Sequence, residues 1–450
     1  MSASIRRIVE NRAGSERGIR RGDAYCLNDP YAGGTHLPDV TVIVPVFLSD
    51  ESTQPDAFVA ARGHHADIGG TAPGSMPPDS ASIAEEGVRL DDVLLVDEGR
   101  FCAEDLRELL TSGEYPARNP ARNLSDFKAQ LAACARGADL LADAASEHGR
   151  DVVRAYMGHA LDHGEAAVRA LVERLNSGSF AYEMDNGASV YVAVSIDRDA
   201  QTARFDFTGT SEQLPNNFNA PAAITRAAVL YCLRCLIDDD IPLNDGCLRP
   251  VEIVVPEGSM LAPRPPAAVV AGNVETSQVV TDAVFAALGA LAPAQGTMNN
   301  FTFGDDTRQY YETIAGGSGA GEGHDGTDAV QTNMTNSRLT DPEVLETRLP
   351  VRVERFAIRS GSGGTGKWHG GEGVERAIRF TEPMRAQILA NRRKVPPRGI
   401  AGGGDALPGE TFVERADGSV LDLGATGGAD MAPGDMIVIR TPGGGGYGKA

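Results

Sequence analysis

Residues 40–63, VTVIVPVFLSDESTQPDAFVAARG, contain two runs of apolar and β-branched residues separated by a polar stretch. Such runs predict β-strands, and the polar stretch predicts the turn between them. If the strands pair as a hairpin, residues before the first strand and after the second lie at the same end of the ladder. His36 and Asp39 precede the first strand and His64 follows the second. The sequence therefore predicts that these three side chains meet.

Two imidazoles and one carboxylate are a ligand set typical of a catalytic divalent metal, because they leave coordination positions open for water or substrate. His65 and Asp67 lie immediately beyond the hairpin in RGHHADIGG. Asp67 could orient a ligating histidine, and either residue could transfer a proton as a catalytic group. The alternative interpretation is that all these residues make turn and capping hydrogen bonds. Spacing alone leaves both interpretations open.

Composition limits the classes of partner. The 450 residues include 41 basic and 62 acidic side chains, a net charge of −21, which opposes binding to nucleic acid or an anionic membrane. The N-terminus has no apolar signal region, and no apolar run reaches the ~18 residues that span a bilayer. We therefore expect a cytoplasmic protein that binds other proteins or small molecules.

The spacing of apolar residues along the chain predicts an α+β fold with mixed, antiparallel-rich sheets. Apolar residues at helical spacing predict a helical pair near residues 123–178, and alternating residues predict a β-meander over 179–210. Residues 350–450 are rich in glycine and strand-like, which indicates a smaller β domain after a main region of residues 1–349. The length of the chain is sufficient for two such parts.

Two further motifs are weaker. DIGGT, residues 67–71, matches part of the phosphate-binding loop of actin-like ATPases, but the later aspartate of that pattern is Gly74 here, which argues against nucleotide binding.

His159 and His163 lie four apart on a predicted helix, without the glutamate of zinc proteases. A packed or solvated helix face is the default, with His159 kept as a possible additional metal ligand.

Several amide-rich stretches offer groups that could orient a small polar ligand. Asn273, Asn299 and Asn300 are candidate substrate-binding residues, and Glu275 is a candidate catalytic residue. A helix predicted to start after Glu275 would offer free N–H groups to an anion. Turn and capping chemistry is the alternative for all four side chains.

These and other motifs together resemble the hydantoinase B/oxoprolinase family, from about Gly22 to Gly448. The motifs are GDAYCLNDPYAGGTHLPDVTVIVPVF, RGHHADIGGTAPGSMPPDS, DFTGTSEQLPNNFNAPAA, VVAGNVETSQVVTDA, QGTMNNFTFG, TNMTNSRLTDPEVLE and NRRKVPPRGIAGG. The B-type region of ATP-dependent 5-oxoprolinases is the most similar version. Family members usually carry several dozen residues before the GDxxxLNDP stretch, and this chain has 21 before Gly22, which indicates a misplaced start or a natural fragment.

The resemblance implies a B-type subunit or region that works with an A-type partner of actin-like ATPase fold in a hetero-oligomer. The partner would use ATP to phosphorylate the carbonyl oxygen of a cyclic amide, and the B-type part would complete ring opening with metal-activated water. In similar ketone carboxylases the metal ligands fall on His36, Asp39 and His64. The ion is one divalent metal, with zinc, manganese and iron all open. A ketone carboxylase subunit and a non-catalytic scaffold for the A-type part are the alternatives.

Overall fold

A computed structural model describes residues 1–305 and 308–450, and its first sheet contains the predicted hairpin. The strands of this sheet are β1 (Ala24–Leu27), β2 (Asp39–Val46), β3 (Ala57–His64), β4 (Val93–Asp97) and β5 (Arg100–Phe101). Their order is β3-β2-β1-β4-β5, with antiparallel neighbours throughout. β2 and β3 pair from Asp39 opposite His64 to Val46 opposite Ala57, so the hairpin is confirmed.

Helices cover both faces of this sheet. The α-helices of the described residues are α1 (Ser2–Ala13), α2 (Ala103–Thr111), α3 (Pro120–His148), α4 (Arg150–Val172), α5 (Ala222–Leu236), α6 (Ser277–Ala287) and α7 (Pro342–Arg348). The predicted helical pair is confirmed as α3 and α4, which Gly149 separates with a left-handed φ of 89°. Leu124, Phe127 and Cys134, at helical spacing on α3, are buried in the core beneath β2 and β3.

On the opposite face of the sheet, Ile8 of α1 is buried with Tyr25, Leu27 and Ile43. The sheet is thus held between α1 and α3, which fixes the end of the hairpin in space. Among the described residues, no helix combines the length and apolar character needed to cross a membrane.

A second sheet contains the predicted meander. Its strands are β6 (Gly178–Glu183), β7 (Ser189–Asp197), β8 (Thr202–Asp206) and β9 (Val251–Val254). The first three are antiparallel in sequence order, and Gly187 turns the chain between β6 and β7 with a φ of 82°. α5 and α6 pack beside each other in the core of this part, α6 directly on β6 and β7.

The C-terminal part is β-rich, as expected. The remaining strands are β10 (Asn300–Gly304), β11 (Gln309–Thr313), β12 (Val351–Arg359), β13 (Gly373–Phe380), β14 (Met384–Leu389), β15 (Glu410–Glu414), β16 (Val420–Asp422), β17 (Thr426–Met431) and β18 (Met436–Arg440). They form one sheet of order β12-β13-β18-β15-β16 and another of order β11-β10-β14-β17.

The second of these sheets is built from both sides of residue 349. β10 and β11 precede that residue, yet β10 pairs with β14 along its whole length. Phe303 of β10 and Ile378 of β13 belong to the same buried core, so the two C-terminal sheets pack on each other. The division expected between residues 349 and 350 therefore does not separate two sheets, because strand pairing crosses it.

Candidate metal centre

The end of the β2–β3 hairpin brings His36, Asp39 and His64 together. Asp39 and His64 are directly opposite each other in the first pair of the ladder. A tight turn supplies His36: the Asp39 N–H donates to the His36 carbonyl oxygen at 3.1 Å, which folds the histidine back over the aspartate. The predicted juxtaposition is present in the structure.

Asn28 anchors the loop that carries His36. Its Nδ2 donates to the carbonyl oxygens of Leu37 at 2.8 Å and Val88 at 2.9 Å, and its Oδ1 accepts from the Leu90 N–H. Gly34 in this loop approaches the backbone so closely that a Cβ would lie 2.2 Å from the Asn28 carbonyl oxygen. Side-chain anchoring and close backbone contact explain why so glycine-rich a loop holds one conformation.

Asp39 is the centre of the three side chains. His64 Nδ1 lies 3.0 Å from Asp39 Oδ1, and His36 Nδ1 lies 3.5 Å from Asp39 Oδ2. One donor atom from each of the three residues lies within 4.8 Å of the other two, close enough to hold a single ion. The two imidazole centroids are 5.3 Å apart.

The electrostatics of the three residues fit a cation. Burial lowers the pKa of His36 to about 4, so the ring is neutral at neutral pH, the form that binds metals. Burial opposes ionisation of Asp39, but His36, His64 and Arg62 together lower the pKa of its carboxyl overall. His36 Nδ1 is buried and has no hydrogen-bond partner among the described residues. A buried imidazole nitrogen without a partner is costly, and coordination to a metal ion would satisfy it.

Arg62 lies beside this centre and was missed from the sequence. Its Nε donates to Thr41 Oγ1 at 2.8 Å and its Nη2 to Ser4 Oγ at 3.1 Å. Burial lowers the pKa of this guanidinium and the Asp39 charge raises it. The signal was available, because Arg62 is two residues before His64 on β3 and so shares its face of the strand.

His65 and Asp67 make hydrogen bonds to α3 and to the loop after β3. His65 is buried, with Nδ1 3.0 Å from Asn123 Nδ2 and Nε2 3.1 Å from Gln130 Oε1. Asp67 accepts from the N–H groups of Gly69 and Gly74 and pairs with Arg118 at 2.8 Å. Turn and packing chemistry, the alternative interpretation, accounts for these contacts.

His159 lies apart from the three candidate ligands. It is on α4, its side chain is 69% exposed, and its nearest acidic partner is Asp162 at 4.0 Å. It does not belong to the group of donor atoms formed by His36, Asp39 and His64. The structure therefore gives no support to His159 as an additional ligand, and that call stays a prediction.

Glu275 lies in a continuous helical run rather than at a helix start. The run begins at residue 270 and includes a π-helical turn at Gly272–Thr276 before α6. α6 itself begins at Ser277, as predicted, but the preceding π-helical turn uses the Ser277 N–H, so this start does not offer the free N–H groups that were expected. The N–H groups at the true start, on Val269 and Val270, donate to the buried Glu86 carboxyl group at 2.9 Å, so they are not free for an anion.

The predicted amide cluster divides into two. Asn300 Nδ2 donates to Glu275 Oε1 at 2.8 Å, which joins these two candidates directly. Asn299 instead donates to Gln295 and accepts from Arg393 at 2.9 Å, so its amide is fully used within the fold. Asn273 lies half-buried in the π-helical turn, a type of distortion that recurs at functional sites.

A cleft of about 700 Å³ lies between the N-terminal turn of α3 and the β11-β10-β14 sheet. Side chains of both signs line it, including Asp67, Arg118, Asp126, Arg308 and Arg385. Because Asp67 lies three residues beyond His64, the cleft begins close to the end of the hairpin. His36, Asp39 and His64 are not among its lining residues, and the cavity is polar and of small-molecule size.

Comparison with known sequences gives the relationship of the chain. The sequence profile of the family described as Hydantoinase B/oxoprolinase matches residues 1–450. The chain is 46% identical to 5-oxoprolinase 1 of Arabidopsis thaliana over 96% of its own length and 36% of that protein. It is 44% identical to 5-oxoprolinase of Dictyostelium discoideum, covering 96% of the chain and 34% of the relative. The chain thus spans about a third of these curated relatives.

Solved structures share the fold. The ATP-dependent caprolactamase from Pseudomonas jessenii superposes with a TM-score of 0.84 at 26% identity, over 99% of this chain and 81% of that one. Nucleotide-free acetone carboxylase superposes with a TM-score of 0.85 at 18% identity, over 100% of this chain and 68% of that one. The second likeness concerns the fold alone. The family profile along the entire chain, together with these relatives, shows that the chain belongs to the hydantoinase B/oxoprolinase family.

Proposed function

We propose that this chain is the B-type part of an ATP-dependent cyclic-amide hydrolase of the 5-oxoprolinase or hydantoinase type, and that it opens a lactam ring phosphorylated by an A-type part. The observation that carries the proposal is the cluster of His36, Asp39 and His64, with the unpartnered His36 Nδ1. The relatives named 5-oxoprolinase and the structurally similar caprolactamase support the hydrolase assignment.

His36, Asp39 and His64 would hold one divalent ion, and their nitrogen and carboxylate donors suit zinc, manganese or iron. A bound ion would supply Lewis-acid polarisation at the reacting centre. Asp39 keeps its negative charge, orients His64 through the 3.0 Å contact and offers its second oxygen toward His36. The Arg62 guanidinium beside them adds positive charge that favours an anionic substrate or intermediate.

The A-type part supplies the activated substrate in this proposal. Phosphorylation of the amide oxygen makes the ring carbon electrophilic. Water adds to that carbon, the ring C–N bond breaks as the nitrogen leaves with a proton, and a second water hydrolyses the resulting acyl phosphate to the free acid and phosphate. Because the chain covers about a third of the matched 5-oxoprolinases, an A-type part in the same or a separate chain accounts for the remaining length. An A-type part with an actin-like ATPase fold would use ATP, and a cytoplasmic location is part of this proposal because ATP is available there.

The test is reconstitution with the A-type part, followed by measurement of ADP and organic product. With 5-oxoproline or a hydantoin, we expect ADP release coupled to a ring-opened acid, lost on chelation and restored by a divalent ion. The similarity in fold to acetone carboxylase makes ketones with bicarbonate the comparison substrates. Bicarbonate-dependent carboxylation without ring opening would assign the chain to the carboxylase class. Coupled ring opening that resists complete chelation would reject the metal role.

A further inference from the structure

The cleft between α3 and the β11-β10-β14 sheet has a polar floor, which is the face of that sheet turned away from the C-terminal core. Along β10, alternation sends Phe301 into the core and turns Thr302 and Gly304 the other way. Gln387 of β14 lies opposite Thr302. Arg385 lies opposite Gly304. Cross-strand partners share a face, so the Gln387 and Arg385 side chains stand on this floor.

The facing wall of the cleft is the first two turns of α3. Asn119 caps this helix by accepting a hydrogen bond from the Arg122 N–H at 3.1 Å. Arg122 and Asp126 both line the cleft, and their spacing on α3 places them side by side on one face of the helix. Opposite charges at this spacing often pair, yet neither side chain has an ion-pair or hydrogen-bond partner among the residues that the structure describes. Both charges are therefore available to a bound molecule.

Most of the other charged groups of the cleft are neutralised within the fold. Arg118 pairs with Asp67 at 2.8 Å. Arg308 pairs with Asp305 at 2.5 Å and with Glu382 at 2.8 Å. These side chains shape the cleft but carry no unbalanced positive charge.

Arg385 is the third charge of the cleft that is open to a ligand. Its ion-pair partner is Asp430 at 3.5 Å, and the two side chains are 64% and 86% exposed. An exposed pair at that separation contributes little free energy, so the guanidinium can turn to a ligand at small cost. The available charges are thus two cations, Arg122 on the wall and Arg385 on the floor, and one anion, Asp126.

From this pattern of available charges we infer that the cleft binds an amino acid that carries two carboxylates and one ammonium. Arg122 and Arg385 would each donate to one carboxylate, because a guanidinium matches a carboxylate in shape and charge. Asp126 would accept from the ammonium. The amide of Gln387 and the hydroxyl of Thr302 offer further neutral hydrogen bonds from the floor.

Other small ligands match the available charges less well. A phosphate group would be attracted by the two guanidiniums but would face the like charge of Asp126, which costs free energy. A monocarboxylate would leave one guanidinium unmatched, and an alkylamine would leave both. The cavity volume of about 700 Å³ lies in the range of small-molecule sites and is sufficient for an amino acid.

This inference goes beyond the proposed function, because it requires neither a metal nor an A-type part. His36, Asp39 and His64 do not line the cleft, so the amino acid occupies a site of its own. The charge pattern also fits the product of the proposed reaction. Ring opening of a lactam that carries a carboxylate adds one water overall, and it leaves that carboxylate, a second carboxylate from the ring carbonyl and an ammonium from the ring nitrogen. The cyclic substrate has only the first of these three charges, so the cleft distinguishes product from substrate.

Isothermal titration calorimetry of the purified chain tests the inference with L-glutamate as the probe. We expect saturable binding that is at least about tenfold tighter than that of glutarate, which lacks the ammonium, or of γ-aminobutyrate, which lacks one carboxylate, because each loses a charge-assisted hydrogen bond. 5-Oxoproline should be weaker than L-glutamate by at least the same factor. No saturable binding of L-glutamate, or equal affinity for all these compounds, would overturn the inference.

Two substitutions separate the roles of the charges. Arg122→Gln should weaken L-glutamate binding at least about tenfold, since one carboxylate loses its guanidinium. Asp126→Asn should remove the preference for L-glutamate over glutarate, because only the ammonium uses this carboxylate. Both side chains lie outside the hydrophobic core, so both variants should keep the urea denaturation midpoint of wild type.

Arg136→Gln is the matched control. Arg136 is an exposed arginine further along α3, and it does not line the cleft. This variant should bind L-glutamate within about twofold of wild type. An equal loss in Arg122→Gln and Arg136→Gln, or an unchanged preference in Asp126→Asn, would overturn the site. An assembly that opens no cyclic amide would contradict the proposed function and leave the binding result as it stands, so the two failures are distinguishable.

Discussion

His64 and His65 are neighbours in sequence, yet the fold gives them opposite surroundings. His64 is 46% exposed at the end of β3 and contacts Asp39. His65 is buried, and partners from α3 occupy both of its ring nitrogens. The alternation of side chains at the end of a strand produces this difference. The comparison shows that a structural histidine differs from one available to a ligand in the hydrogen-bond partners of its ring nitrogens, and not in residue type.

The largest expected effect is on catalysis by the ligand set. His36→Ala, Asp39→Ala and His64→Ala should each lower ring opening by at least about 100-fold in the reconstituted assembly, because each removes one donor atom from a three-donor site. The measurement is the rate of ring-opened product at saturating ATP. Full activity in two of the three variants would contradict the role of these residues as ligands needed for ring opening.

The next effect is on stability and concerns His65. His65→Ala should lower the free energy of unfolding by about 3 kcal/mol, because it opens a buried cavity and removes the partners of Asn123 and Gln130. Urea denaturation measures this change. Asn123→Ala is the companion variant and should also destabilise, since it leaves His65 Nδ1 without a donor. Unchanged denaturation midpoints would contradict the structural role.

Sequence reasoning found the hairpin and its three candidate ligands because strand alternation and cross-strand register are local consequences of the chain. It did not separate His65 from His64, since the partners Asn123 and Gln130 lie about 60 residues further on and depend on how α3 docks.

The free N–H groups expected at the start of α6 are absent for a related reason. The run starts earlier, at residue 270, and the Glu86 side chain binds the N–H groups at its start. Serine and threonine near residue 276 looked like capping residues, but the Thr276 hydroxyl donates to the Phe218 carbonyl oxygen instead. Capping from a distant segment cannot be read from local residue preference.

A smaller effect concerns the pH dependence of stability. It depends on a buried group that, unlike His65, has a polar atom without a hydrogen-bond partner. Burial raises the pKa of Glu275 to about 8, and its Oε2 has no hydrogen-bond partner among the described residues. The folded chain then binds more protons than the unfolded chain between pH 4.5 and about 8, so this group destabilises the fold as pH rises through that window.

Glu275→Gln removes this titration and keeps an oxygen for the N–H of Met298 and the amide of Asn300. The stability difference between wild type and variant should grow with pH in the variant's favour, by at most about 1.4 kcal/mol per pH unit. Urea denaturation at a series of pH values measures it. Parallel pH profiles for the two proteins would contradict a raised pKa at Glu275.

The smallest effect is expected at His159. His159→Ala should change the free energy of unfolding by less than about 0.5 kcal/mol and leave ring opening within about twofold, because the side chain is 69% exposed and lies outside the ligand group. Thermal denaturation and the product assay check both expectations. A large loss of ring opening would return His159 to the set of site residues.

The most direct test of the central claim is metal retention by the His64→Ala and His65→Ala variants. Each purified chain is loaded with a divalent ion, dialysed and analysed by mass spectrometry for metal content. We expect about one ion per chain in wild type and His65→Ala, and less than about a tenth of that in His64→Ala. Equal metal content in the two variants would contradict the assignment of the end of the hairpin as the metal site.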